Sequence, residues 1–529
     1  MNLVETGNRL IDESKVQFRE YQVRIAENIL KNGNSLVILP TGLGKTIVAL
    51  LVVERKLLEG KRVLFLAPTR PLAEQHQKTI SSLLKIPVER TALLTGTIQA
   101  EKRASIWSNA FIVCATPQTI ENDIRAGRIS LDGFGLCVVD ECHRSVKRYA
   151  YTFVAEECKR KGVQLLGLTA SPGGKKERIE AVTKALDVKH IEIRTEADED
   201  VAPYVKRIET KWVEVELPAE FSELKKKLEE VISERLEPLA KMHVVNTTNP
   251  KIPKRLILEA GKKLAALPDS NKLKFVMLSH YATVMNLTHA LELLETQGIS
   301  TFLSFLKKLE AREQKSMAVK RILGDARIRW VMKRAEELSA KGEHPKLAKL
   351  VEIVRERKGK KIIIFVQFRN QIKRIVDELA AHGFSARQFI GRKEGVTLKE
   401  QKETIQRFRE GEFDIMVASS IGEEGLDIPS VDSVIFYEPV PSEIRLIQRR
   451  GRAGRAKSGE VVFLITRGTR DEAYYWASKS REAKMKRIVK GIQAQLAVER
   501  VFEKHAGHQE SGKDAARLKP GQARMTDFF

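Results

Sequence analysis

Short apolar runs alternate with longer amphipathic segments over the first two hundred residues of the chain. The runs SLVILP, RVLFLAP, FIVCATP, LCVVD and LLGLTAS each have the length of a strand and end in turn-forming or polar residues. Buried parallel strands produce this pattern because helices cover both faces of their sheet. Residues 1–200 therefore predict an α/β domain with a parallel sheet, whose ligands bind at the carboxyl ends of the strands.

The same alternation returns in the runs KIIIFVQF, FDIMVASS, SVIFYEP and VVFLITRG, which predict a second α/β domain at 343–490. Between the two, residues 201–342 are rich in Leu, Lys and Glu, with apolar positions at helical spacing, and predict an inserted helical domain. Residues 491–529 begin with one more helical stretch and then become polar. They predict a flexible tail.

Charge adds a first indication of a partner. The 529 residues contain 93 Lys and Arg against 69 Asp and Glu, a net charge of +24. Such an excess attracts polyanions, nucleic acid above all, although a solvated basic surface explains charge alone equally well. The four cysteines have neither disulfide nor zinc spacing, and no apolar run has the length of a membrane span. A cytoplasmic protein without a membrane partner is expected.

The segment Leu39–Thr46, LPTGLGKT, stands between an apolar run and an amphipathic helix. A glycine-rich loop at this point surrounds phosphates with backbone N–H groups; Lys45 then reaches the terminal phosphates and Thr46 ligates Mg²⁺. The first glycine of the general pattern is replaced by Leu39. The predicted cofactors are ATP and Mg²⁺, and the predicted loop contacts are Thr41, Gly42, Gly44, Lys45 and Thr46.

Asp140 and Glu141 follow the apolar run GLCVV. A carboxylate at the end of a strand can hold Mg²⁺, and its neighbour can orient and deprotonate the attacking water. We assign the metal role to Asp140 and the base role to Glu141. Capping of a following helix would explain one carboxylate, but not the pairing with a phosphate-binding loop.

The second α/β segment contains the arginine-rich stretch Gln448–Arg455, QRRGRAGR. An inserted arginine can stabilise the charge that develops on a transferred phosphoryl group. Arg452 and Arg455 lie one helical turn apart, and together with the other two elements we assign them, and Gln448 at the start of the stretch, to the catalytic site. A solvated or polyanion-binding face is the alternative for this segment alone.

Together these residues resemble the core of a superfamily 2 helicase. APTRPLAEQ (67–75), Thr95-Gly96 and Thr116-Pro117 are similar to the family's motifs Ia, Ib and Ic, which contact the nucleic-acid strand. IIIFVQFRN is similar to motif IV and SSIGEEGLDIP (419–429) to motif V. The resemblance implies two RecA-like domains and strand contacts from Arg70, Thr95, Thr116, Gln367 and Ser419.

The resemblance also extends to the nucleotide site. FREYQ (18–22) precedes the phosphate-binding loop where this family reads adenine, which implies nucleotide contacts from Arg19 and Gln22. Gly425 and Asp427 of motif V are implied to link nucleotide state to strand contact. Thr169-Ala170-Ser171 is similar to motif III and, with His143 of the DECH box, is implied to couple hydrolysis to domain movement.

A DECH box with a helical insertion is similar to the branch formed by archaeal Hef, Fanconi anaemia group M and RIG-I-like proteins. The first two imply forked or branched DNA as partner, and the last implies double-stranded RNA. Archaeal Hef proteins carry an XPF-type nuclease with an ERK-x-x-x-D motif. Here Glu356-Arg357-Lys358 is followed by Ile362 at the Asp position, so we expect no nuclease in this sequence and a separate nuclease as a partner.

The last residues of the sequence, 522–529, resemble the box that binds the sliding clamp (PCNA) of archaea and eukaryotes. On a short 3₁₀ turn Met525, Phe528 and Phe529 form an apolar plug, and Gln522 remains for a polar pocket. A clamp ligand indicates DNA. We therefore predict an ATP-dependent DNA helicase or translocase of forks and repair sites, associated with the nucleoid in an archaeal cell; an RNA-directed ATPase is the alternative.

Overall fold

The computed structural model describes residues 9–146, 149–173, 175–205, 208–271, 273–340, 344–391, 395–419, 428–439 and 459–509. Within these ranges two parallel sheets and a helical bundle follow one another along the chain. The predicted fold class, two parallel-sheet α/β domains with an inserted helical domain, is confirmed.

The first α/β domain has a seven-stranded parallel sheet of order β3-β4-β2-β5-β6-β1-β7. Its strands lie at β1 Ser35–Ile38, β2 Arg62–Leu66, β3 Thr91–Leu94, β4 Ile112–Ala115, β5 Phe134–Asp140, β6 Gln164–Thr169 and β7 His190–Ile193. Its helices lie at α1 Glu20–Asn32, α2 Lys45–Leu58, α3 Arg70–Leu83, α4 Ala100–Asn109, α5 Pro117–Arg125, α6 Ala150–Arg160 and α7 Lys176–Ala185. Apolar clusters cover both faces of the sheet, which is why its strands are continuous apolar runs.

The helical insertion contains α8 Ala219–Lys241, α9 Lys254–Ala265, α10 Lys274–Thr296, α11 Ile299–Glu310, α12 Met317–Gly324 and α13 Ala326–Ser339. These helices share one apolar core, built largely from the leucines and isoleucines at helical spacing. The long helices α8 and α10 pack on each other through this core.

The second α/β domain has a six-stranded parallel sheet of order β10-β11-β9-β12-β13-β8. Its strands lie at β8 Ile208–Val215, β9 Ile362–Phe365, β10 Ala386–Phe389, β11 Ile415–Ala418, β12 Ser433–Phe436 and β13 Gly459–Thr466. Its helices lie at α14 Pro345–Arg355, α15 Arg369–Ala381, α16 Leu398–Glu410 and α17 Arg470–Gln509.

Strand β8 corrects the predicted start of the insertion at residue 201. It pairs in parallel with β13 along its whole length, from Ile208 opposite Gly459 to Val215 opposite Thr466. The chain therefore enters the second sheet before it leaves for the insertion. Four consecutive residues of this edge strand are exposed, so β8 lacks the kind of apolar run that predicted β9, β11, β12 and β13 of the same sheet.

Helix α17 corrects the predicted boundary at residue 490. The helix continues through Gln509, and Met485, Val489 and Ile492 are buried in a core cluster of the first α/β domain. Their spacing of four and three residues places them on one helical face. Gln493 Nε2 also donates to the backbone oxygen of Ile191 at 2.9 Å, so α17 joins the two α/β domains.

The structure also bears on the nuclease-like triplet, the cysteines and the membrane-span prediction. Arg357 is buried and paired with Glu460 at 2.5 Å, so the middle residue of the Glu356-Arg357-Lys358 triplet contributes to the packing of the second sheet, while its two neighbours are exposed. All four cysteines are buried free thiols. Among the described residues, no helix is both long and apolar enough to cross a membrane. Residues 510–529, with the predicted clamp-binding residues Gln522, Met525, Phe528 and Phe529, lie outside the described residues.

Candidate nucleotide and nucleic-acid site

The phosphate-binding loop connects β1 to α2. Gly42 and Gly44 have φ angles of 89° and 78°, a region in which side chains are strained, and Lys45 begins the helix. The first N–H groups of α2 have no partner within the helix and face the loop, together with the positive end of the helix dipole. Lys45 Nζ donates to the backbone oxygens of Leu39 at 3.0 Å and Pro40 at 3.5 Å. These two hydrogen bonds hold the ammonium group of Lys45 inside the loop, where the sequence predicts a polyphosphate.

Asp140 ends β5, two strands from β1 in the sheet order. The structure adds a contact that the sequence did not predict: His76 Nε2, on α3, lies 2.8 Å from Asp140 Oδ2, and both side chains are buried. An ionised carboxylate only accepts, so Nε2 carries the hydrogen. Burial acts to raise the pKa of Asp140, but the hydrogen bond from His76 and the charge of Lys45 outweigh it and lower that pKa. Asp140 is thereby kept ionised.

Glu141 follows in a left-handed conformation, with φ 49°. Such a backbone is uncommon for a residue with a side chain and is found at functional sites. Its Oε2 is buried, accepts no hydrogen bond among the described residues, and lies 3.2 Å from His143 Nδ1. A buried carboxylate oxygen without a donor is available to accept a proton or to orient a water.

These residues fit a magnesium ion with bound phosphates. The hydroxyl of Thr46 and the carboxylate of Asp140 are oxygen ligands of the kind that Mg²⁺ prefers, and Mg²⁺ usually takes few protein ligands beside phosphate and water. Within the described ranges, no group of three or more His, Cys, Asp or Glu side chains could chelate a metal unaided. When bound, the ion would neutralise charge on the phosphates; Thr46 and Asp140 would hold it.

The three residues predicted to couple hydrolysis to movement are brought together. His143 Nδ1 lies 3.1 Å from Thr169 Oγ1, which in turn donates to the backbone oxygen of Ser171 at 3.0 Å. Ser171 Oγ donates to the sulfur of Met485 at 2.8 Å. A continuous buried chain thus runs from the DECH box to α17, and its last member was not predicted.

Gln22, predicted to read adenine, is buried against the phosphate-binding loop. Its Oε1 accepts from the backbone N–H of Arg19 at 3.1 Å, and its Nε2 donates to the backbone oxygen of Leu43 at 3.2 Å. A Cβ at Gly44 would lie 2.4 Å from the same Nε2. Gln22 therefore supports the loop directly, and its contact with adenine stays a prediction.

The residues predicted to contact a nucleic-acid strand all follow the carboxyl ends of strands. In the first sheet they are Arg70, Thr95 and Thr116, after β2, β3 and β4. In the second they are Gln367 and Ser419, after the neighbouring strands β9 and β11. Since β3, β4 and β2 form one end of the first sheet, Arg70, Thr95 and Thr116 occupy a different half of its carboxyl edge from the residues predicted to bind the nucleotide.

These strand-end residues differ in exposure. Arg70 and Gln367 are exposed, Thr116 is half-buried, and Thr95 and Ser419 are buried. The hydroxyls of Thr95 and Thr116 contact Thr97 at 3.0 Å and Thr119 at 2.8 Å, respectively. The remaining predicted site residues, Gly425, Asp427, Gln448, Arg452 and Arg455, lie outside the described residues.

Three family models match the chain in succession. The DEAD/DEAH box helicase model matches residues 19–179, the helical-bundle model of a provisionally named ATP-dependent RNA helicase matches 220–344, and the helicase conserved C-terminal domain matches 345–457. The second match begins after β8, in agreement with the position of that strand in the second sheet.

Two curated relatives and one solved structure illustrate the similarity. A provisionally named ATP-dependent RNA helicase of Methanocaldococcus jannaschii is 42% identical over 91% of this chain and 62% of its own length. The ATP-dependent DNA helicase fml1 of Schizosaccharomyces pombe is 33% identical over 90% of this chain and 60% of its own length. The chain thus spans less than two thirds of these relatives.

The solved structure is the crystal structure of the Pyrococcus furiosus Hef helicase domain. It is 44% identical, with a TM-score of 0.71, and the match covers 89% of this chain and 100% of that one. The whole of the solved domain therefore has a counterpart here. The chain belongs to the DEAD/DEAH box helicases and, among them, to the family of the Hef helicase domain.

Proposed function

We propose that this protein is an ATP-dependent DNA helicase or translocase that acts on forked or branched DNA in replication-fork repair and recombination. The observation that carries the proposal is that two separate sets of predicted site residues divide the carboxyl edge of the first sheet between them. Lys45, Asp140 and Glu141 lie in its β5-β6-β1 half, and Arg70, Thr95 and Thr116 follow the strands of its β3-β4-β2 half. Nucleotide and strand can then bind at the same time on one rigid sheet.

In this proposal ATP is held by Lys45, Thr46 and Asp140 of the first α/β domain, with Arg452 and Arg455 contributed by the second. Glu141 activates the attacking water. Contacts of the two domains with strand phosphates are independent of sequence and sensitive to salt. Glu74 on α3 pairs with Lys402 on α16 at 2.8 Å, which supports a placement of the two strand-contacting regions side by side.

The helical insertion would bind the duplex arm or the branch point. Exposed apolar side chains on its surface support a contact that is more than electrostatic: Phe275 is 64% exposed and Met317 is 59% exposed. Basic residues accompany such side chains on α9 and α13. Apolar groups beside cations suit the exposed base pair and phosphates at a DNA branch.

The choice between DNA and RNA is tested by one ATPase comparison. Forked DNA, Holliday junction, plain duplex and double-stranded RNA are added separately at the same salt concentration. We expect forked or junction DNA to give the largest stimulation, and stimulation by RNA alone would refute the proposal in favour of an RNA-directed ATPase. Lys45→Ala should abolish hydrolysis with every substrate; unchanged hydrolysis would refute the assigned nucleotide site.

Recruitment by the sliding clamp is proposed from residues 522–529 alone. Deletion of these residues should abolish binding to the clamp in a pull-down with purified PCNA, while DNA-stimulated ATPase stays at the level of the full chain. Unchanged clamp binding would refute this part. We also propose a separate nuclease as a partner and a cytoplasmic location, which in an archaeal cell is associated with the nucleoid.

A further inference from the structure

Glu438 is a buried carboxylate at the joint between the helical insertion and the second α/β domain. It follows β12 by two residues and is only 4% exposed. Its Oε1 accepts a hydrogen bond from Nε2 of Gln297, at the end of α10, and its Oε2 accepts from the backbone N–H of Gln367 at 3.0 Å. One side chain thus connects the insertion to the loop that is predicted to contact the strand.

The surrounding charges are engaged with other groups. Lys346 donates to Asp471 and to the backbone oxygen of Tyr437, and Lys225 pairs with Glu295 at 2.8 Å. Glu438 therefore has amide donors at both oxygens and no direct ion pair among the described residues. Burial raises the pKa of Glu438 to about 7. A carboxylate that is costly to bury is a poor choice for stability alone.

Apolar contacts hold the same joint together independently. Phe368, next to Gln367, packs on the core of the insertion, and its ring lies 6.3 Å from that of His289. Further hydrogen bonds tie the insertion to α17, for example from Arg470 to the backbone oxygen of Thr288 at 3.1 Å. The joint can persist without Glu438, whose particular contribution is to fix the orientation of the Gln367 backbone relative to Gln297.

We propose that Glu438 is a positioning residue that couples the orientation of the insertion to the conformation of the strand-contacting loop at Gln367. The inference rests on the proposed function in branched DNA. Helix α10 runs from this joint through the insertion for 23 residues, which is about 35 Å at 1.5 Å per residue. A rotation of about 5° at Gln297 moves the far end of such a helix by about 3 Å, so DNA held there changes the geometry at Glu438.

The test uses the full chain with Gln297→Met and Glu438→Gln, alone and combined. Gln297→Met keeps the length of the side chain and removes its donor; Glu438→Gln keeps the shape and leaves one acceptor in place of two. The ratio of half-activating concentrations for forked DNA and for single-stranded DNA is measured by ATPase. We expect each single variant to reduce the fork preference about five- to tenfold, with basal ATPase and KM for ATP within about twofold of wild type.

The double variant completes the test, because both changes break the same connection. It should be no worse than the stronger single variant, whereas independent effects would add. An unchanged fork preference in both single variants, or fully additive losses, would overturn the inference. If wild type itself shows no stimulation by forked DNA, the proposed function fails instead, so the two failures are distinguishable. Gln297→Met lies outside the second sheet and keeps the test decisive if Glu438→Gln folds poorly.

Discussion

The buried pair of Lys346 and Asp471 gives a sharp prediction about stability. The two side chains are 0% and 1% exposed, and Lys346 Nζ also donates to the backbone oxygen of Tyr437 at 3.0 Å. Asp471 Oδ2 additionally accepts from the backbone N–H of Thr466 at 3.2 Å. In Lys346→Met the carboxylate would stay buried without its cation. Removing one partner of such a pair costs about 3–5 kcal/mol.

Hydrogen exchange with mass spectrometry measures this cost locally, which suits a chain of several domains. In Lys346→Met we expect the amides of β13 to lose about two to nearly four orders of magnitude of protection, since about 1.4 kcal/mol corresponds to a factor of ten. The double variant Lys346→Met, Asp471→Leu should recover most of the loss, because neither charge is then left unpaired. Equal protection in the single and double variants would refute the reasoning.

The loss should also depend on pH. Burial raises the pKa of Asp471 even with Lys346 present, and removal of that cation raises it further. A carboxyl group whose folded pKa exceeds its unfolded pKa binds more protons in the folded state, so its destabilising effect grows as pH rises between the two values. Exchange in Lys346→Met should thus be closer to wild type at pH 5 than at pH 8 after correction for intrinsic rates. The opposite trend would contradict the assigned cause.

Three further predictions follow from single contacts. His76→Ala removes the hydrogen bond that orients Asp140, and we expect the ATPase rate or the apparent Mg²⁺ affinity to fall about 10- to 100-fold in a Mg²⁺ titration. Gly44→Ala combines a positive φ with a Cβ 2.4 Å from Gln22 Nε2, and should abolish binding of a fluorescent ATP analogue. Val489→Asp places a charge in the core of the first α/β domain, and should expose the second half of α17 to limited proteolysis.

Matched controls sharpen two of these predictions. Gly60 also has a positive φ, of 70°, but a Cβ there would meet no atom within 4 Å. Gly60→Ala should therefore cost only backbone strain and leave nucleotide binding intact. Lys490 is exposed beside Val489, so Lys490→Ala should leave the proteolysis pattern unchanged. A loss of binding in Gly60→Ala, or of α17 protection in Lys490→Ala, would contradict the assigned contacts.

Local signals explain what could be predicted from the sequence. The phosphate-binding loop and Asp140 each follow an apolar run, so their positions at strand ends could be deduced without tertiary information. The partners of these residues could not. His76 lies on α3, distant from Asp140 in sequence, and only the alignment of β2 beside β5 brings α3 to the end of β5. The sequence offered one hint, the position of His76 directly after the motif Ia segment 67–75.

The missed boundaries have a similar physical origin. Strand β8 has polar exposed positions because it lies at an edge, and edge strands give weak patterns. The apolar face of α17 is formed by only a few residues within a strongly basic stretch. Helical spacing could have identified this face, but not the domain on which it packs. Glu438 was equally hidden, since its two partners come from the insertion and from the loop after β9.

The path of α17 has a consequence for synthesis on the ribosome. The first α/β domain is translated first, yet Met485, Val489 and Ile492 of its core cluster emerge after the insertion and the second α/β domain. At about 5–20 residues per second the delay is on the order of tens of seconds. Throughout that interval the apolar surface that α17 covers in the folded protein stays exposed on the nascent domain. This surface is a binding site for a chaperone until α17 has been synthesised.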